Sequence, residues 1–128
     1  MAELHVEVVL GAGSRTFTGG ALLDHGWSDE GITVDAEPTG AHQLLVSVGC
    51  CVVNDVYREA QPGVQVDGVT VRVSGELDAE SWARAEITYE VDIDSPEDED
   101  VIARLLAQVE AVAEIPRVLQ GEVTVGRR

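Results

Sequence analysis

The segment from Thr39 to Ala60, TGAHQLLVSVGCCVVNDVYREA, constrains the fold more than any other part of the sequence. Apolar side chains recur in it three or four residues apart and so share one helical face: Leu44, Leu45, Val48, Cys51, Val52 and Val56. Further small and apolar residues lie off that face, which indicates a helix buried on more than one side. We predict a buried central helix with Thr39 as its N-cap and Pro62-Gly63 beyond its end.

Size and charge limit the kind of protein this is. The 128 residues suffice for one domain, which we expect to span 1–128. The formal net charge of −16 argues against partners that are nucleic acids or anionic membranes. No apolar run reaches the roughly 18 residues of a membrane helix. The opening MAELHVEVVL has no basic region and no cleavage site, so we expect a cytoplasmic protein with reduced thiols.

Before the helix, the pattern favours three strands. Alternation predicts a first strand over Leu4–Leu10 and a turn over Gly11–Ser14. Thr and Phe residues favour a second strand within Arg15–Leu23, although two glycines weaken it. We predict a polar loop over Asp24–Gly31 and a short third strand over Ile32–Val34.

After the helix, the pattern predicts a β-hairpin. Valines alternate from Val64 to Val73, but the phase slips by one residue at Asp67-Gly68, which suggests a bulge or bend. We predict a turn over Gly75–Ser81 and a second strand over Ile87–Ile93.

The C-terminal part is predicted to be helical and then extended. Ser95 is suited to an N-cap and Pro96 to the first helical position. An apolar stripe follows: Val101, Ile102, Leu105, Leu106 and Val109. Pro116 breaks or restarts this helix, and Glu122–Val125 is predicted as a last strand. Strands and helices therefore come in blocks, which favours the α+β class.

The sequence contains two cysteines, Cys50 and Cys51, both in the central helix. A cysteine in a buried apolar helix is usually an inert small hydrophobe, whereas a reactive one needs a nearby cation or hydrogen-bond donors. Cys51 lies about 18 Å from the predicted helix start, too far for the helix dipole to activate it. Adjacent helical residues diverge by about 100°, so these two thiols do not pair within a helix. No zinc-type spacing is present, and we predict no metal or cofactor.

Several of these segments together resemble the OsmC/Ohr family: QLLVSVGCC, GVQVDGVTVRVSGEL, the alternating strand after it and the capped helix. The resemblance covers about Pro38 to Val125. It implies an α+β fold in which curved antiparallel sheets surround a long central helix and two chains intertwine as a homodimer. Active members of this family are thiol peroxidases that reduce organic hydroperoxides in oxidative stress defence.

The resemblance also implies roles for individual residues. Cys51 falls at the position of the peroxide-attacking cysteine, and Arg15 is the candidate for the active-site arginine. The family's second cysteine corresponds to Ile115, which has no sulfur. The family's glutamate corresponds to Ala41, or to His42 if the alignment shifts by one residue.

Two functional hypotheses follow. In the first, the chain is a hydroperoxide reductase that uses Cys51 and Arg15, and an external thiol reduces the resulting sulfenic acid. In the second, the chain is a non-catalytic family member that binds a small apolar ligand at the dimer interface. Trp27 and Trp82 are expected either to line such a pocket or to pack over the rim of the core.

Overall fold

The computed structural model describes residues 2–128. It contains five strands and three helices, in the order β1 (Glu3–Gly13), β2 (Ala21–His25), β3 (Ser28–Asp35), α1 (Gly40–Ala60), β4 (Gly68–Asp78), β5 (Ala85–Asp94), α2 (Glu99–Val112) and α3 (Glu114–Gln120). The strands form one antiparallel sheet with the order β2-β3-β1-β4-β5. The predicted α+β class is therefore confirmed. No helix within residues 2–128 is long and apolar enough to cross a membrane.

The central helix α1 forms where it was predicted. Thr39 is its N-cap, and its Oγ1 accepts a hydrogen bond from the backbone N–H of His42 at 3.2 Å. One long side of α1 packs on β1 and β4 and is completely buried. The packing is tight at Gly49, where an added Cβ would lie only 2.4 Å from Leu10 Cδ1. Gly49 thus allows α1 to approach the sheet closely.

The first half of the sheet differs from the prediction in its boundaries. The turn expected over Gly11–Ser14 begins later, because β1 continues to Gly13, and the backbone turns at Ser14 and Arg15. The second strand is shorter than expected, since Gly19 and Gly20 adopt positive φ values before β2 begins at Ala21. The expected loop over Asp24–Gly31 is instead mostly strand, with a tight hairpin at His25–Ser28.

The second half of the sheet forms the predicted hairpin with shifted ends. The expected bulge at Asp67-Gly68 is absent, because Val64 and Val66 lie before the strand, and β4 then pairs with β1 in one continuous register. The turn predicted over Gly75–Ser81 is shorter than expected, because β4 continues to Asp78 and the turn occupies residues 79–81. Gly75 lies inside β4, where an added Cβ would be 3.1 Å from a methyl of Leu45 in α1.

The C-terminal prediction is partly correct. The helix predicted after Ser95 is α2, which begins at Glu99 with Asp98 as its N-cap, so the prediction of Ser95 as the N-cap is wrong. The Ser95 hydroxyl instead donates to the carbonyl of Gln65 at 2.6 Å, which ties the segment to the chain before β4. The helix ends at Val112, and Pro116 lies in the first turn of α3, as a restart requires. The last strand predicted over Glu122–Val125 is not formed, because that segment pairs with no strand.

Candidate functional site

One stripe of α1 carries the chemically active side chains. Cys51, Asp55 and Arg58 follow one another at spacings of four and three residues and therefore share a helical face. Gly49 is two positions before Cys51, about 200° around the helix, so this stripe faces away from the tight contact of Gly49 with the sheet. The helices α2 and α3 pack on α1, and α3 brings Glu114 to the same place.

The Cys51 sulfur lies between two carboxyl groups. Its thiol donates to Asp55 Oδ2 at 3.7 Å and is also within donating distance, 3.8 Å, of Glu114 Oε2. Asp55 is only 1% exposed, whereas Glu114 is exposed to solvent. The thiol therefore has two proton acceptors, one buried and one open to water.

Arg58 holds both carboxylates through their remaining oxygens. Its Nη2 lies 3.1 Å from Asp55 Oδ1 and 3.4 Å from Glu114 Oε1, and its Nε lies 3.1 Å from Glu59. Each carboxylate thus has one oxygen facing Arg58 and the other facing the sulfur. This arrangement gives the buried charge of Asp55 a cationic partner, without which its burial would be strongly unfavourable.

The surroundings of Cys51 favour the thiol over the thiolate. Burial raises the pKa of Cys51 above its ordinary value, and the nearby Asp55 and Glu114 raise it further. The backbone amides of Ile115 and Glu114 act in the opposite direction. Burial also raises the pKa of Asp55, while Arg58 lowers it. The pKa of the neighbouring Cys50 is raised, again chiefly by burial.

An apolar groove of about 420 Å³ runs beside this cluster. Leu44 and Val48 line it from α1, on the same helical face as Cys51. Residues of β5 and α3 form its other walls: Ala85, Glu86, Ile87, Tyr89, Pro116, Leu119 and Gln120. Pro116 directly follows Ile115, whose backbone amide lies near the sulfur, so the groove passes close to Cys51, which does not itself line it.

The structure does not bring every predicted site residue together. Arg15 lies in the loop after β1, and its guanidinium pairs with Asp92 of β5 at 3.2 Å. Within residues 2–128, its ion pairs do not include a residue of the Cys51 cluster. His42 lies in the first turn of α1, with Nε2 3.6 Å from Glu37. Ile115 does lie beside Cys51, through its backbone amide.

Sequence reasoning missed three members of the cluster. Asp55 and Arg58 were detectable in principle, because they are four and seven residues after Cys51 in a predicted helix. Glu114 is 63 residues away and gave no local signal.

The donor atoms of Cys51, Asp55 and Glu114 lie within 4.8 Å of one another, close enough for all three to reach one metal ion. Both carboxylates are already paired with Arg58 in the structure.

Comparison with known proteins places this arrangement in a family. The sequence model of the OsmC-like protein family matches residues 25–126, and the chain belongs to this family. The crystal structure of an OsmC-like hydroperoxide resistance protein from Jannaschia sp. CCS1 is similar, with a TM-score of 0.57 and 15% identity. The similarity covers 94% of this chain and 90% of that one, and it confirms the OsmC-like fold. No curated protein sequence matches the chain significantly.

Proposed function

We propose that this protein reduces organic hydroperoxides through Cys51, which attacks the peroxide while Asp55 or Glu114 accepts the thiol proton. The observation that carries this proposal is the position of the sulfur, 3.7 Å from one carboxylate oxygen and 3.8 Å from another, close to an apolar groove. A thiol whose pKa is raised needs such a base in order to react near neutral pH.

The first step converts the thiol and ROOH into a sulfenic acid and an alcohol. The carboxylate takes the Cys51 proton, and the sulfur attacks the terminal peroxide oxygen. The S–O bond forms as the O–O bond breaks, and the departing alkoxide takes a proton to become ROH. Arg58 holds the outer oxygens of both carboxylates, so that their inner oxygens stay directed at the sulfur.

The groove suits the organic part of such a substrate. Its walls are mainly aliphatic and aromatic, and it lies between α1, β5 and α3. Binding an apolar chain there would bury hydrocarbon and leave the peroxide at the polar end. We therefore expect organic hydroperoxides to be better substrates than hydrogen peroxide.

The second step needs an external thiol. Ile115 has no sulfur with which to form an internal disulfide, and Cys50 points about 100° away around α1. Two equivalents of a small thiol would therefore return the sulfenic acid to Cys51, with release of water and formation of the external disulfide. In this scheme Arg15 acts at the site only if the second subunit of a homodimer contributes it. Sedimentation equilibrium would show whether the protein is a homodimer.

The test is consumption of cumene hydroperoxide in the presence of excess dithiothreitol. Wild-type protein and the Cys50→Ser variant should consume it, whereas Cys51→Ser should not. The Leu119→Ser substitution, on the groove wall, should raise KM for cumene hydroperoxide and leave the rate with hydrogen peroxide unchanged. Equal consumption by wild type and Cys51→Ser would refute the proposal.

A second candidate function is binding of an apolar ligand without chemistry. The raised pKa of Cys51 and the isoleucine at position 115 both favour it, since neither helps turnover. The same groove would then be the binding site. Titration with the neutral fluorophore N-phenyl-1-naphthylamine should show saturable binding that Leu119→Ser weakens and Cys51→Ser does not. If wild-type protein shows such binding but no peroxidase activity, this second function replaces the first.

A further inference from the structure

A second cavity, of about 300 Å³, lies at the tip of the β2–β3 hairpin. It shares no lining residue with the groove beside Cys51. Its walls combine two aromatic side chains with three carboxylates and small or aliphatic residues: Gly13, Trp27, Ser28, Asp29, Glu30, Tyr57, Val66 and Asp67. The proposed peroxidase chemistry makes no use of this cavity.

Tyr57 is the feature that makes this cavity a candidate site. Tyr57 is only 6% exposed, and its hydroxyl is buried without a hydrogen-bond partner among residues 2–128. Leaving a buried hydroxyl unpaired is unfavourable, and such groups in native proteins nearly always have a partner. Tyr57 lines the cavity, so a partner for its hydroxyl can be supplied from that side.

The surrounding residues fix the position of that hydroxyl. The ring of Tyr57 packs edge-on against His25, with ring centroids 5.6 Å apart, and His25 is itself held by Ser28 and Asn54. At Gly13, which has φ of +59°, an added Cβ would lie 2.3 Å from the Asp67 carbonyl oxygen and 2.8 Å from the Tyr57 hydroxyl oxygen. A side chain at Gly13 would therefore displace the backbone and the hydroxyl that form this wall of the cavity.

The charge around the cavity is negative and unbalanced. Within residues 2–128, no arginine or histidine forms an ion pair with Asp29, Glu30 or Asp67. One oxygen of Asp67 accepts a hydrogen bond from the neutral side chain of Gln65. These carboxylates do not converge closely enough to surround a metal ion. Within residues 2–128, the group of side chains that does converge so closely is Cys51, Asp55 and Glu114. The cavity is instead suited to a larger cation.

We propose that this cavity binds a small aliphatic ammonium ion, with the indole of Trp27 against the cation and the Tyr57 hydroxyl accepting one of its N–H groups. Trp27 is 48% exposed, so its ring is accessible to such a ligand. Tryptophan is the most favourable ring for cation–π contacts, and an ammonium ion supplies both the charge and the donors that the site lacks. The three carboxylates favour a ligand with more than one positive charge.

The experiment is a fluorescence titration of full-length Trp82→Phe protein, in which Trp27 is the remaining tryptophan. The probe is butane-1,4-diammonium, and the comparison ligands are butane-1,4-diol, which is uncharged, and tetramethylammonium, which has no N–H. We expect saturable binding of the diammonium with half-saturation below about 1 mM. Binding should weaken at high salt, be weaker for tetramethylammonium and be absent for the diol.

Variants separate a built site from general attraction to an acidic protein. Tyr57→Phe should weaken binding about fivefold or more, because a hydrogen bond to a charged donor is lost. Asp67→Asn should weaken it as well, and Tyr89→Phe, which changes a tyrosine outside the cavity, should leave it unchanged. Circular dichroism melting would show that Tyr57→Phe is folded. Non-saturable binding, or equal affinity in wild type, Tyr57→Phe and Asp67→Asn, would overturn the proposal whether or not the protein is a peroxidase.

Discussion

Replacing Gly49 by alanine tests whether close contact between α1 and the sheet determines the position of the central helix. An alanine Cβ at this position would lie 2.4 Å from Leu10 Cδ1, whereas carbon atoms in contact are normally about 3.5–4.0 Å apart. Leu10 is fully buried in β1, so it cannot move toward solvent. Either Leu10 or the helix must therefore shift by about 1 Å or more.

The magnitude follows from two opposing effects. Overpacking of a well-packed core costs about 1–3 kcal/mol. Exchanging glycine for alanine inside a helix contributes about 1 kcal/mol in the stabilising direction. We expect the crowding to exceed the gain in helix propensity, so that Gly49→Ala lowers the free energy of unfolding by up to about 2 kcal/mol.

Gly40→Ala is the matched control. It makes the same substitution in the same helix, and an added Cβ at Gly40 meets nothing within 4 Å. Urea unfolding should show Gly40→Ala to be as stable as wild type or slightly more stable. In a Leu10→Val background, which removes the clashing methyl, Gly49→Ala should lose most of its penalty. If Gly49→Ala is as stable as Gly40→Ala, the explanation based on close packing is wrong.

Three further predictions concern Cys51, Asp55 and Thr39. In Cys50→Ser protein, the rate of alkylation of Cys51 by iodoacetamide should keep rising above pH 9, because its pKa is raised; a plateau below pH 8 would contradict this. The pKa of Asp55 is raised by burial, so its contribution to stability is fully present below the unfolded pKa near 3.8 and is lost as pH rises through the folded pKa. Asp55→Asn should therefore gain stability relative to wild type between pH 4 and pH 7 in urea unfolding. If the difference in free energy of unfolding between the two proteins is the same at both pH values, the raised pKa of Asp55 is refuted. Thr39→Ala should cost about 1 kcal/mol because the N-cap hydrogen bond is lost, whereas Thr39→Ser should be near neutral by thermal melting.

Local patterns in the sequence were sufficient for some elements. The helix α1 and its N-cap were predicted correctly because apolar spacing and Thr39 act within a few residues of one another. The alternation in β5 was equally local. Gly75 was misread as a turn residue because its role depends on Leu45, which lies 30 positions earlier in the sequence and packs over β4. Such contacts leave no mark in the neighbouring residues.

The candidate site was predictable to a similar extent. Cys51 was identified from its helix and its family resemblance, but its proton acceptors were not. The family resemblance implied that Ala41 and Ile115 depart from the family's residues. It did not imply that Glu114, next to Ile115, places a carboxylate beside the sulfur. The role assigned to Arg15 stays a prediction.

The two sides of α1 have different roles, and these roles limit substitutions in different parts of the chain. The Gly49 side fixes the helix on the sheet, while the Cys51 side faces the short outer helix α3. Substitutions in α3 can alter the environment of the thiol without disturbing the buried sheet contacts. Reactivity can therefore diverge among family members while the core tolerates little variation, so that sequence drift should concentrate in α3 and spare the residues around Gly49.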